Sequence, residues 1–236
     1  MNLLSEIKFF YQRKIEPGFK VRKNALVVDI GSGDKPFWRA DIFVDKLSLG
    51  NVQRASKSNT IHDVGMFVDS DAQKMPFKTG AFDFSFASHL LEHVEDPVAV
   101  IKEITRISKS GYIEVPNGII ETIQPFNSHL WFVFKDKKKL IFVRKSNTLH
   151  NILNKNGVGY EYLLARVKEP FIRFYWKKNI EYEIINPLKP SEKFNSKLDS
   201  RKISLSFNYY LFLVKIIRRL FYREKPLSKL KNTLRR

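Results

Sequence analysis

Ala25-Leu26-Val27-Val28-Asp29-Ile30-Gly31-Ser32-Gly33 decides the fold. The first six residues form a short apolar run rich in β-branched side chains, the mark of a parallel strand buried on both faces. Glycines follow at once, where a tight turn or a close backbone approach to a ligand needs them. Outward from this strand the pattern repeats. Ile42 to Val44 reads as a second strand closed by Asp45, Met66 to Val68 as a third, Phe82 to Ala87 as a fourth and Tyr112 to Val115 as a fifth. Val98 to Ile107 has helical spacing, with Pro97 in its first turn. Strands alternating with helices and loops predict an α/β domain: a doubly wound, mostly parallel, Rossmann-like sheet with helices on both faces.

Beyond residue 117 the character changes. Leu130 to Phe134 and Leu140 to Arg144 flank a charged turn and predict a hairpin. Phe171 to Lys177 and Ile180 to Ile185, about a Lys-Lys-Asn turn, predict a second. Thr148 to Asn156 reads as a helix stopped by Gly157. Residues 1–19 carry an amphipathic N-terminal helix over 2–14, ended by Pro17-Gly18. The expected division is a domain over 20–186 with its motifs in 25–117 and hairpin additions in 118–186. A linker over 187–204 and a basic amphipathic helix and tail over 205–236 complete it.

The chain has 236 residues and a net charge of +18, unevenly placed. Residues 1–135 hold 17 Lys/Arg against 16 Asp/Glu, and residues 136–236 hold 25 against 8. A neutral first part and a cationic second part point to an anionic partner. Leu211, Val214, Ile217, Leu220 and Phe221 fall on one helical face, and Lys215, Arg218, Arg219 and Arg223 on another. Such a helix suits an anionic membrane surface, and nucleic acid ranks second because no RNA-binding module is present. There is no cysteine, which excludes disulfides and thiolate metal sites. Neither a signal-peptide core nor a spanning segment is seen, so the expectation is a cytoplasmic protein peripheral to a membrane.

The strand-end residues carry the chemistry. Asp45 stands where a carboxylate accepts hydrogen bonds from ribose hydroxyls. It follows Asp29 by 16 residues, against about 20 in a dinucleotide site, and Pro36 takes the third glycine position. The first crossover must then be a very short helix or a loop, which counts against a nicotinamide-dependent oxidoreductase. Asp71 in Asp71-Ala72-Gln73-Lys74-Met75-Pro76-Phe77 can accept from an adenine amino group, and the Ala72 N–H can donate to a ring nitrogen.

These stretches, with FDFSFASHLLEHVEDP (82–97) and IKEITRISKSGYIEVPN (101–117), strongly resemble the class I S-adenosylmethionine-dependent methyltransferases of type 11. The resemblance covers residues 25–117. It implies S-adenosylmethionine as cofactor, Asp29 setting the glycine loop and facing the sulfonium or amino acid end, and Gly31, Ser32 and Gly33 beneath the methionine portion. It also implies Asp45 on the ribose, Asp71 with Ala72 on the adenine, and Ser88 with His89 where the methyl group emerges. A weaker likeness at Glu121, His129-Leu130-Trp131, Asp136 to Phe142, Tyr175-Trp176 and Tyr182-Glu183 is to methyltransferases of cell-surface glycan synthesis.

In-line methyl transfer needs no protein nucleophile, only a base if the acceptor must lose a proton. His89, His93 and His129 are the candidates. A packing role competes for His93, and Glu92 reads as solvated or structural. His89 and His93 at i, i+4 lack a nearby third ligand, so no metal is expected. The leading expectation is an O-directed methyltransferase acting on a sugar, lipid-linked glycan or other small acceptor. The alternatives are a nucleic-acid methyltransferase and a non-catalytic binding module on the same fold.

Overall fold

A computed structural model of the chain describes residues 7–8, 10–33, 35–46, 64–123, 126–145, 169–185 and 206–235, with backbone alone for 123 and 206–213. The main sheet has the order β3-β2-β1-β4-β5-β8, made of β1 (Val27–Ile30), β2 (Ile42–Asp45), β3 (Met66–Asp69), β4 (Phe84–Ser88), β5 (Ser110–Pro116) and β8 (Phe171–Lys177). The first five run parallel, and β8 closes the edge antiparallel to β5. The order reverses at β1, between β2 and β4, so the ligand crevice lies beyond their carboxyl ends.

Alternation along β1 divides the core. Val28 and Ile30 pack on one face with Val100, Ile101, Ile104 and Ile107 of α2 (Pro97–Ile107). Val27 packs on the other with Phe37, Trp38, Phe43 and Phe86. The apolar residues of α2 recur at i, i+3 and i+4, Pro97 opens the helix, and the Asp96 carboxylate caps it by accepting from Ala99 N. The β1–β2 connection holds no helix among its described residues, as the short spacing to Asp45 required.

The opposite face is covered by the two ends of the chain. A π-helical turn (Tyr11–Ile15) runs directly into α1 (Glu16–Phe19). Pro17-Gly18 therefore does not end the N-terminal helix. Pro17 sits in the first turn of α1, where no N–H is missed, and Gly18 lies so close to Trp38 that a Cβ there would stand 2.4 Å from its ring. After α3 (Gly118–Ile123) the second sheet forms. β6 (Trp131–Asp136) and β7 (Lys139–Arg144) make the expected hairpin.

The second expected hairpin is not one. β8 joins the main sheet, whereas β9 (Glu181–Ile185) pairs parallel with β7. Lys178 adopts a left-handed φ of 72°, and the chain leaves the main sheet there. The Lys-Lys-Asn signal marked a turn but carried no information about partners. The helix expected at 148–156 and the linker at 187–204 lie outside the described residues.

The C-terminal part also differs from expectation. In α4 (Ser206–Phe221), Val214 is buried, but Leu220 and Phe221 are 67% and 58% exposed. Arg218 instead turns inward and donates from Nη1 to the carbonyls of Trp38 and Ala40. Among the described residues no backbone N–H donates to those carbonyls, and satisfying them outweighs the helical-face pattern. Residues 223–236 were expected as a basic tail. Within them α5 (Leu227–Lys231) buries Leu230 in the core, and Thr233 O accepts from Lys78 N. Arg235 donates from its N to Pro76 O and from Nε to Phe77 O. Among the described residues no helix is long and apolar enough to cross a membrane.

Candidate active site

The glycine loop hangs on the end of β2. Gly31 N and Ser32 N both donate to Val44 O, and Gly33 N donates to Asp45 Oδ2 at 2.7 Å. Both glycines have positive φ, 70° and 52°. A Cβ at Gly31 would strike Leu90, 2.9 Å away, while one at Gly33 would meet nothing nearer than Gly31 O at 4.0 Å. The loop therefore packs against the segment after β4 on one side and opens at Gly33. The Ser32 hydroxyl is buried with no hydrogen-bond partner among the described residues.

Asp29 lies behind this loop, 2% exposed, and accepts from Phe37 N at 2.7 Å. That bond ties β1 to the connection beyond the glycine loop. Burial pushes the Asp29 carboxyl up to about 7. Burial also lowers the nearby Lys14 ammonium to about 8, against the opposing pull of Glu114 and Asp29. An acid whose folded pKa is raised costs stability once the unfolded chain ionises, and the cost grows until the folded group ionises too. Asp29→Asn is therefore expected to gain stability relative to the parent as pH rises from about 4 to about 7. Urea midpoints across that window test it, and a constant difference would refute the assignment.

Asp45 and Asp71 follow the ends of neighbouring strands. Asp45 Oδ1 accepts from Lys46 N, and the Lys46 ammonium reaches Asp71 Oδ2 at 3.0 Å. Asp71 Oδ1 accepts from Gln73 N and Nε2, which fixes the turn at 71–74 and leaves Ala72 against the core. Burial opposes charge on Asp71, but the hydrogen bonds from Gln73 and Lys46 outweigh it and hold the carboxyl below its ordinary value.

Beyond β4 a charged cluster forms around Glu114, a fully buried residue of β5. Arg13 donates to both its oxygens, from Nε at 3.0 Å and Nη2 at 2.8 Å. The Ser88 and Tyr112 hydroxyls donate to it as well, and the Lys14 ammonium donates to Ser88 Oγ. Burial opposes its charge, but His89, Lys14 and Arg13 outweigh it and keep Glu114 well below the usual carboxylate range.

His89, with a left-handed φ of 57°, lies 3.0 Å by Nδ1 from Glu92 Oε1 and 2.8 Å by Nε2 from Arg13 Nη2. A guanidinium only donates, so Nε2 is the acceptor and Nδ1–H donates to Glu92. Phe171 packs edge-on to His89 and under the Arg13 guanidinium. Sequence reasoning missed Glu114, Arg13 and Lys14. Glu114 left a signal: one acid inside Tyr-Ile-Glu-Val-Pro, a run otherwise fit for burial, must have charged partners.

His93 and His129 stand apart from this cluster and beside each other, rings 4.6 Å apart. His93 Nδ1 lies 3.0 Å from Ser128 O, and His129 Nδ1 2.8 Å from Glu121 Oε2. Glu121 is held in turn by the buried Lys145 ammonium. The segment after β4 makes a single turn, closed by His93 N to Leu90 O. Glu92 is 1% exposed, which overturns the solvated reading. It faces His89 with one oxygen and has no partner among the described residues on the other.

Residues 30–113 match the family model Methyltransf_11, described as a methyltransferase domain. A demethylmenaquinone methyltransferase of Staphylococcus saprophyticus is 32% identical over 107 residues, 45% of this chain and 42% of its own length. The sterol 4-C-methyltransferase strm-1 of Caenorhabditis elegans is 29% identical over 97 residues, 41% of this chain and 28% of its own. A solved Thermotoga maritima structure, described as a possible histamine N-methyltransferase, has a TM-score of 0.35 at 17% identity, covering 49% of this chain and 59% of its own. The chain thus spans less than half the length of these two curated relatives. The residues present fit the cofactor implied: the unpartnered Ser32 hydroxyl, the open side of Gly33 and the Asp45 carboxylate gather at the crevice where the strand order reverses. The match places a methyltransferase-like core at residues 30–113, about a third of this chain, and the sheet that carries it is what this chain shares with those proteins.

Proposed function

We propose that the chain transfers the methyl group of S-adenosylmethionine to a hydroxyl oxygen of a small acceptor, a sugar or lipid-linked glycan among them. Asp45 would hold the ribose, Asp71 with Ala72 the adenine, and Gly31, Ser32 and Gly33 the methionine portion. The cofactor supplies an electrophilic methyl group when bound. The observation that carries the O-directed reading is the orientation of His89. Its Nδ1–H is committed to Glu92, so Nε2 is the unprotonated nitrogen at the carboxyl end of β4; it accepts from Arg13 here, and an acceptor hydroxyl that displaces that bond would meet the nitrogen able to take its proton. Arg13 and Phe171 pack against each other beside the His89 ring.

Transfer of labelled methyl to sugar acceptors tests this reading. His89→Gln is expected to lower kcat by about 10²- to 10⁴-fold while calorimetric affinity for S-adenosylhomocysteine stays the same. Full kcat in that variant would remove His89 as the base. The names of the matched relatives support a second reading, a quinone or sterol acceptor, which the same assay distinguishes by the substrate that takes the label. The membrane reading of 205–236 is supported by Leu220, Phe221 and Leu227 exposed together with Lys215 and Arg219. Nucleic acid as partner rests on charge alone.

A further inference from the structure

Glu92, His93 and His129 each present one donor atom within 4.8 Å of the other two. Sequence spacing had paired His93 with His89 and found no third ligand. The fold brings His129 in instead, from the segment before β6, because Leu130 N donates to Glu92 O at 2.7 Å and Trp131 Nε1 to Val94 O at 2.8 Å.

The hydrogen bonds select the free atoms. A carbonyl only accepts, so His93 Nδ1 must carry the proton it shares with Ser128 O, and its Nε2 keeps the lone pair. His129 gives its Nδ1–H to Glu121, a carboxylate anchored by Lys145, and its Nε2 is likewise the remaining nitrogen. A carboxylate or carbonyl behind each imidazole is the outer shell that orients metal-binding histidines. The third donor is the stronger sign. Glu92 is 1% exposed, and its Oε2 has no hydrogen-bond partner among the described residues. A buried carboxylate oxygen left unsatisfied costs free energy unless something cationic takes it.

We propose that Glu92, His93 and His129 bind a divalent first-row transition ion. Two imidazoles and one carboxylate favour zinc, cobalt or iron over magnesium or calcium, which prefer all-oxygen shells. With metal–ligand bonds of about 2.1 Å the donors must draw in to ~3.4 Å of one another. The ion would tie the turn after β4 to the segment before β6. Through the other oxygen of Glu92 it lies one hydrogen bond from His89.

Zinc alone, titrated calorimetrically into metal-stripped full-length protein, tests the site without any turnover. One ion per chain is expected, unaffected by excess magnesium. Affinity should fall at least 100-fold in His129→Ala and in Glu92→Gln, and stay unchanged when His62 and His150 are both replaced by Ala. Circular dichroism melts establish that each variant is folded. Should His129→Ala unfold, His93→Asn, at a partly exposed position, takes its place. No saturable binding, or binding that survives loss of His129 or His93 but not of His62 and His150, would overturn the proposal. Cobalt provides a second readout: visible absorption characteristic of imidazole coordination in the parent, absent in the His129 variant.

Discussion

Glu114→Gln is expected to lower the unfolding free energy by about 3 to 5 kcal/mol, the usual result of removing one member of a buried ion pair. The carboxylate takes two hydrogen bonds from Arg13 and one each from Ser88 and Tyr112, at full burial. A neutral amide keeps the shape and loses the charge, leaving Arg13 and Lys14 facing each other in a low dielectric. The pH dependence provides an independent check. The folded carboxyl lies below its unfolded value, so its stabilisation is complete above the unfolded value near pH 4. It is lost as the pH falls further toward the folded value. The parent should therefore lose stability through that acidic window more steeply than the variant, as read by urea denaturation at a series of pH values. Equal stability at neutral pH would mean that Arg13 and Lys14 do not dock on β5.

The second large effect concerns affinity. Asp45→Ala should weaken S-adenosylhomocysteine binding by about 100-fold or more. Two hydroxyl hydrogen bonds to a carboxylate account for that, each contributing about 1.5 to 3 kcal/mol. Asp45 also accepts from Gly33 N, so the variant loosens the glycine loop as well. Asp45→Asn, which keeps one acceptor oxygen, should fall between. Calorimetry on folded protein reads all three, and an unchanged Kd in Asp45→Ala would exclude the strand-two carboxylate from the cofactor site.

The central sheet was legible because a buried parallel strand needs a continuous apolar run and its ligand turn needs glycine. Val27 to Gly33 satisfies both conditions within seven residues. The loop in place of a first crossover helix was legible from Pro36 and the 16-residue interval to Asp45. Partners far apart in sequence were not. Residues 171–185 showed two strands and a turn, but nothing local says that β8 joins β5 while β9 joins β7. Arg218 looked like solvent-facing charge because helical periodicity counts side-chain polarity and ignores the distant carbonyls of Trp38 and Ala40 to which it donates. The grouping of Glu92 with His93 and His129 is of the same kind, since it depends on a backbone bond between Leu130 and Glu92.

The docking of α5 against Pro76-Phe77-Lys78 has a consequence for how the protein is made. Arg235 and Phe77, joined by a hydrogen bond, are 158 residues apart. On the ribosome the loop that follows Asp71 emerges long before the segment that clamps it. Throughout that interval Phe77 and the floor beneath it lack Leu230, and an apolar surface waits uncovered in the nascent chain. Closing so long a span is slow for entropic reasons, so the last contacts of the core form after most of the sheet is already in place. A nascent chain stalled before residue 227 is thus expected to hold a sheet but expose one edge of its core to chaperones.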